Sequence, residues 1–128
     1  MDITPHLIET LQPNEVFVFG SNASGHHGGG AARIAHERFG AVWGEGHGHH
    51  GQTYAIDTMS GLDVIESEAR DFVAYATAHP ELRFRLTPVG CGIAGCTPEQ
   101  VAPLFTGLPA NVTTPAAFVP YLSPAGPS

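Results

Sequence analysis

The sequence predicts an α/β protein, in which a mostly parallel sheet lies between two layers of helices. Short apolar segments rich in β-branched and aromatic residues, the first at residues 16–19, alternate with longer segments of helical periodicity. Parallel strands joined by right-handed crossovers place helices on both faces of a sheet, which gives three α/β/α layers. A length of 128 residues suits one domain, expected over residues 1–122 and followed by a disordered tail over 123–128.

Caps and helix breakers set the order of the predicted elements. Thr4 with Pro5, and Thr97 with Pro98, are each typical of a helix start, because the threonine side chain accepts from a backbone N–H and proline suits the first turn. Residues 41–52 contain four glycines and are expected to form a loop without regular structure. Helices are predicted over residues 5–11, 29–39, 61–78 and 97–105, the last shortened by Pro103, and strands over 16–19, 53–56, 83–89 and 117–119.

The charge balance restricts the partners. The formal net charge is −7, the chain has no lysine, and its five basic residues are arginines. The charge argues against duplex DNA or RNA as the main partner because that binding needs a basic surface, and an anionic ligand must be held by backbone N–H groups. No apolar run approaches the roughly 20 residues of a membrane span, and the first residues lack a basic leader. A cytoplasmic protein without a membrane partner or a cofactor is expected.

Residues 16–32 read VFVFGSNASGHHGGGAA, a buried-strand pattern that breaks into a glycine-rich loop and then opens a helix. This order is typical of a nucleotide site, because glycines let a ligand approach the backbone and a helix start presents unpaired N–H groups. A P-loop is excluded because the chain has no lysine, and the dinucleotide fingerprint is excluded because Gly28-Gly29-Gly30 breaks its spacing. The alternative is a glycine-rich connection that binds no ligand.

A second glycine loop follows a later strand. Residues 90–95 read GCGIAG and lead into the helix capped by Thr97. In a parallel sheet the loops that follow the strands meet at the carboxyl edge, where ligands bind. The loops expected at that edge are 20–30, 43–52, 57–61 and 90–96, and the first and last of them would clamp a diphosphate from both sides.

These motifs resemble those of the macro-domain superfamily, whose members bind ADP-ribose, and the chain is most similar to small bacterial and phage macro-like proteins. The resemblance lies in residues 16–32, 43–58 and 90–95 and extends over residues 14–122. It implies that Asn22 contacts the distal ribose, and Asp2 is the nearest candidate for the aspartate that contacts adenine in many macro domains. The ligand-binding residues that it implies are Gly20, Ser21, Asn22, Gly25, Gly28, Gly29, Gly30, Ala31, Gly90, Cys91, Gly92, Ile93, Ala94 and Gly95.

The resemblance also bears on the activity. One macro-domain branch removes ADP-ribose with a lysine and an aspartate just after the GCG sequence, and this mechanism is excluded because the chain has no lysine and Ala94 stands near the aspartate position. The expected function is binding of ADP-ribose or an ADP-ribosyl derivative with hydrolysis of an ADP-ribosyl bond. Asn22 would position the ribose, and His27 or Asp57 would engage the water. The alternative is a non-catalytic sensor, in which His27 only orders its loop and Asp57 bonds turn amides.

The segment His47-x-His49-His50 raises a third hypothesis, a metal-dependent hydrolase. Imidazoles bind zinc, but this spacing matches no standard zinc motif, and a site would need further ligands such as His27 or Cys91. No metal site is therefore expected. Cys91 could itself be a thiol activated by a histidine, but a structural thiol is the expectation.

Periodicity assigns a further set of side chains. On the helix predicted over residues 61–78, the charged side chains expected on the outward face are Glu66, Glu68 and Arg70. Two aromatic residues, Trp43 and Tyr54, can stack on an adenine, but single aromatics beside strands usually belong to the core.

Overall fold

The structure is a computed structural model that describes residues 3–5, 8–26, 30–92 and 94–122. The predicted tail over 123–128 lies outside the described residues. Two short 3₁₀ helices, Ala102–Leu104 and Ala116–Tyr121, accompany the main elements. The strands are β1 (Ile3–Thr4), β2 (Glu15–Ser21), β3 (Gly48–His50), β4 (Thr53–Asp57), β5 (Arg83–Leu86) and β6 (Val112–Pro115), and the α-helices are α1 (Gly30–Arg38), α2 (Leu62–Ala78) and α3 (Pro98–Val101).

Within the described residues the strands form one sheet in the order β1-β6-β5-β2-β4-β3. Strand β3 runs antiparallel to β4, and the remaining neighbours pair in parallel. This arrangement confirms the predicted α/β class with a mostly parallel sheet.

Alternation along β2 separates two cores on opposite faces of the sheet. Val16 and Val18 pack with α2, and Phe17 and Phe19 pack with α1, because successive side chains of a strand point to opposite faces. Burying a side chain as large as Phe19, which is fully inaccessible, contributes about 1.5–3 kcal/mol. The two helices therefore cover the two faces of the sheet, which gives three layers.

The chain reverses its direction across the sheet after β4, and the connections run to both sides of β2. From β2 it passes through α1 to β3 and β4 on one side, and from β4 it passes through α2 to β5 on the other side. The adjacent strands β2 and β5 therefore continue into connections that lead apart. In open α/β sheets such a switch point opens a crevice beyond the carboxyl ends of the strands, and ligands bind there.

Several predicted elements are wrong. The last strand is β6 rather than residues 117–119, which belong to a 3₁₀ helix with Phe118 buried and Val119 exposed. The helix predicted over residues 5–11 is not formed at residues 8–11, and the predicted glycine loop contains β3, which pairs with β4. Because β3 runs antiparallel, His50 lies beside Thr53 at the amino end of β4, so only the first part of the loop 43–52 lies at the carboxyl edge.

Candidate ligand site at the carboxyl edge of the sheet

The two glycine loops meet where β2 and β5 end. A Cβ built on Gly20 would lie 3.5 Å from the backbone nitrogen of Gly90 and 3.1 Å from Oγ1 of Thr58. The Thr58 hydroxyl and backbone N–H both donate to the carbonyl of Ser21, at 3.2 and 3.0 Å. A side chain at residue 20 would therefore press on both the Thr58 side chain and the second loop. The two backbones approach closely because glycine at position 20 has no side chain.

The side chain of Asn22 organises the first loop. Its Oδ1 accepts from the backbone N–H of His26 at 2.9 Å and from the Ser24 hydroxyl at 2.7 Å, and its Nδ2 donates to the His26 carbonyl at 2.9 Å. These bonds close the chain from residue 22 to residue 26 through one amide group. Asn22 is therefore a residue that shapes the loop, whatever contact it also makes with a ligand.

The segment 43–47 packs backbone to backbone against the first loop. The Gly44 N–H donates to the Gly25 carbonyl at 2.9 Å. A Cβ on Gly25 would overlap the backbone of Gly44, and a Cβ on Gly46 would overlap the carbonyl oxygen of Asn22. Gly25 also has a φ of 67°. Both glycines are therefore required by packing.

The second loop is held by its own backbone and by the helix that follows. The Cys96 N–H donates to the Gly90 carbonyl at 2.9 Å, and the Gly95 N–H donates to the Gly92 carbonyl at 3.0 Å. Thr97 and Gln100 then form a capping box at the start of α3, as the sequence predicts for Thr97. Gly92 differs from Gly20 and Gly25 of the first loop, because a Cβ there would have nothing within 4 Å.

Cys91 lies within this second loop and is half-buried against the core on the α2 face. Burial raises the pKa of the Cys91 thiol, and the neighbouring Cys96 raises it further. A raised pKa reduces the thiolate fraction at neutral pH, so the structure favours the structural thiol over an activated nucleophile.

The carboxylate of Asp57 is bonded within its own turn. Oδ1 accepts from the Met59 N–H at 3.0 Å and Oδ2 accepts from the Ser60 hydroxyl at 2.6 Å. The Asp57 N–H donates to Oε1 of Glu68 at 2.9 Å. Asp57 therefore shapes the β4–α2 turn, which is the structural alternative that the sequence offers for it.

A groove of about 360 Å³ lies between the first loop, the segment 43–47 and the start of α2. Three carboxylates line it, and no arginine does. The lining residues are Ala23, Gly44, Glu45, Gly46, His47, Asp57, Val64 and Glu68. A second cavity, of about 420 Å³, lies at the opposite edge of the sheet beside Glu15 and Arg85 and far from both glycine loops.

The histidine-rich segment does not converge on one point. His47 Nδ1 lies 2.6 Å from Oε2 of Glu68, whereas His49 bonds the Tyr75 hydroxyl and the Gly51 carbonyl. His50 Nε2 bonds the carbonyl of His47 at 3.0 Å. The three imidazoles therefore have separate partners, and the helix-outward expectation is wrong for Glu68, whose side chain is only 12% exposed.

The two aromatic candidates have different surroundings. Tyr54 is buried against Phe72 and Tyr75 in the core, as expected. Trp43 is 51% exposed and contacts the rings of His26 and His36, so it is not a core residue. Because segment 43–47 packs against the first loop, the indole of Trp43 lies beside that loop, at the border of the candidate site.

The structure thus describes most of the predicted site residues at one edge of the sheet. Asp2, His27, Gly28, Gly29 and Ile93 lie outside the described residues, so their roles stay predictions. The sequence pattern did not indicate the residues that join the loops, Gly44, Gly46 and Thr58, nor the position of Glu68 beside them. Only the glycine content of residues 43–51 indicated a close backbone approach.

No family model, curated protein or solved structure matches the chain. The macro-domain resemblance therefore rests on the motifs alone. Among the described residues, no helix combines the length and the apolar character that crossing a bilayer requires.

Proposed function

We propose that the protein binds ADP-ribose or an ADP-ribosyl derivative in the crevice between the ends of β2 and β5. The observation that carries this proposal is the meeting of two glycine loops at the switch point of the sheet, where Gly20 and Gly90 bring two backbones together. Backbone amides of such loops can hold a diphosphate without lysine or arginine side chains.

The distribution of charge supports the same crevice. Residues 20–26 and 90–95 contain no carboxylate, and the first turn of α1 contains no acidic residue. The groove beside α2 is lined by Glu45, Asp57 and Glu68, which would repel a diphosphate. A dianionic ligand is therefore favoured between β2 and β5 rather than in the acidic groove beside α2.

Gly92 adds an independent argument. Its backbone has no positive φ, and a Cβ there would touch nothing within the described protein. Within the described residues, neither backbone conformation nor internal packing thus accounts for the missing side chain. Space for a ligand beside the second loop does account for it.

Hydrolysis of an ADP-ribosyl bond is the enzymatic form of this proposal, with Asn22 placing the ribose and His27 or Asp57 engaging water. A specific observation favours the non-catalytic alternative: both oxygens of Asp57 accept hydrogen bonds from its own turn. A general base needs an oxygen directed at the reacting water, and both oxygens of Asp57 are already directed at donors of the turn.

Calorimetric titration with ADP-ribose, AMP and NAD tests the binding. We expect ADP-ribose to bind and AMP, which lacks the distal ribose and one phosphate, to bind more weakly. Gly92→Glu should abolish binding through bulk and like charge while the fold is kept, because the position opens to space. The matched control is Thr106→Glu, which adds the same charge in an exposed turn before β6. Equal binding by both variants would contradict the proposed location.

A turnover assay separates the enzyme from the sensor. ADP-ribosylated protein, nucleic acid and small-molecule substrates are incubated at concentrations that saturate binding. If Asp57 is the general base, Asp57→Asn should lower turnover by about 10²-fold or more, and Ser60→Ala, which removes only the bond to Oδ2, should not. Absence of turnover by the wild-type protein would reject the enzyme and retain the non-catalytic sensor.

A further inference from the structure

We propose that His47, Glu68 and Asp71 form a binding site for a divalent transition-metal cation such as Zn²⁺. One donor atom from each residue lies within 4.8 Å of the other two. Glu68 and Asp71 are three residues apart on α2, so they share one face of the helix, and His47 reaches them from the segment 43–47. This site is independent of the ADP-ribose proposal.

Glu68 is already oriented for this role. Its side chain is 12% exposed, and its Oε1 is fixed by the backbone N–H of Asp57 at 2.9 Å. The other oxygen, Oε2, is directed at Nδ1 of His47. Metal-binding carboxylates are commonly held by such a second hydrogen bond, which sets the direction of the free oxygen.

The negative charge around the site also favours binding of a cation. Glu45, Asp57 and Glu68 line the same groove, and Asp71 adds a fourth carboxylate at its margin. The arginines with described ion pairs are engaged elsewhere: Arg33 with Glu37, Arg70 with Glu66 and Arg85 with Glu15. Among the described residues that line the groove, His47 is the one with a basic side chain.

The donor set indicates the class of metal. One imidazole nitrogen and two carboxylate oxygens suit Zn²⁺ or Mn²⁺ better than Mg²⁺ or Ca²⁺, which prefer oxygen ligands alone. Metal–ligand distances of about 2.0–2.2 Å require the three atoms to draw closer. Asp71 is exposed on α2, so a change of its rotamer would supply this movement. The cation would replace the hydrogen between Nδ1 and Oε2, and its remaining coordination positions would face the groove.

Titration of the chelator-treated protein with ZnCl₂ tests the site. Asp71→Asn is the decisive variant, because it changes one exposed atom and should leave the fold intact. We expect Asp71→Asn and Glu68→Gln each to weaken the tightest Zn²⁺ site by at least about tenfold. The matched controls are Glu66→Gln, on the outward face of the same helix, and the double variant His49→Gln/His50→Gln, in the same histidine-rich segment.

Two outcomes would overturn the proposal. The first is an unchanged Zn²⁺ affinity in Asp71→Asn and Glu68→Gln, with or without a loss in the histidine double variant, since the metal would then bind elsewhere. The second comes from Co²⁺ substitution: the proposed ligands give d–d absorption without a thiolate charge-transfer band. Such a band would assign the metal to Cys91 or Cys96 instead.

Discussion

The two glycine-rich regions at the carboxyl edge use glycine for different reasons. In the first, Gly25 and Gly46 are pressed against neighbouring backbone, and a Cβ at either would overlap it. In the second, a Cβ on Gly92 or Gly95 would have nothing within 4 Å. Gly25 and Gly46 are therefore enclosed by the protein, whereas Gly92 and Gly95 face open space.

This difference separates a structural part of the site from an accessible part. Residues 22–26 of the first loop are held by the side chain of Asn22 and by segment 43–47, so they form a wall of the crevice that packing within the protein supports. The second loop is fixed by backbone bonds and by the cap of α3, which leaves Gly92 exposed. A ligand that enters the crevice would meet a wall already in place and a loop with room for it.

The largest expected effect tests the closed region. Gly46→Ala should lower the free energy of unfolding by about 3 kcal/mol, because its Cβ would overlap the Asn22 carbonyl although its φ is not positive. Gly92→Ala should change it by less than about 0.5 kcal/mol, since its Cβ meets open space. Urea denaturation measures both, and similar losses in the two variants would remove the distinction between the regions.

The strongly periodic elements could be predicted from the sequence. Residues 61–78 predicted α2 to within one residue, because Ile65, Ala69 and Phe72 recur at helical spacing and are fully buried. The strand at β4 and the Thr97 cap were also predicted correctly. These features depend on local sequence pattern, which tertiary contacts here reinforce.

The missed strands depend on contacts between distant residues. In β6, Thr113 is buried because its hydroxyl bonds that of Thr4 at 2.8 Å, so a polar pair occupies a core strand while the apolar residues 117–119 form a 3₁₀ helix. Strand β3 is made of glycine and histidine, which have no strong strand preference, and it exists because β4 pairs with it.

The candidate site was predictable to a similar extent. Strand–loop–helix order is a local signal, so it placed Gly20 and Gly90 at one edge of the sheet. The acidic groove was not predictable, since His47 and Glu68 are joined only by the folding of a loop against α2. Helical periodicity predicts an outward position for Glu68, but it carries no information about a distant segment, here residues 43–47, that packs over that side of the helix.

A smaller loss of stability is expected when the hydrogen bonds that close residues 22–26 of the first loop are removed. Asn22→Ala removes three hydrogen bonds and should lower the free energy of unfolding by about 1–2 kcal/mol, as well as weakening ADP-ribose binding. Ser24→Ala removes one of these bonds and should cost about 0.5 kcal/mol. If Asn22→Ala were no more destabilising than Ser24→Ala, the amide would not be what organises the loop.

The smallest expected effect on stability concerns the ion pair between Glu15 and Arg85, near the amino ends of β2 and β5. Burial alone would raise the pKa of Glu15, but the Gln12 N–H and the paired Arg85 outweigh it and hold this pKa below its ordinary value of 4.5. A lowered pKa adds stability above pH 4.5 that is lost as the pH falls through the folded-state value.

Urea denaturation at pH 7 and pH 3 should therefore show a larger loss for the wild-type protein than for Glu15→Gln. The glutamine side chain of the variant is uncharged at both pH values, so the variant measures the pH dependence that the other groups of the protein produce. Parallel losses in the two proteins would show that the Glu15–Arg85 pair does not contribute at neutral pH.

The most direct test of the proposed crevice is hydrogen–deuterium exchange with and without saturating ADP-ribose. The expected result is slower exchange of the backbone amides over residues 20–25 and 90–95, with no change over residues 8–11 beside the opposite cavity. Slowing confined to residues 8–11, or to Glu45 and Glu68 in the acidic groove, would contradict a ligand site between β2 and β5.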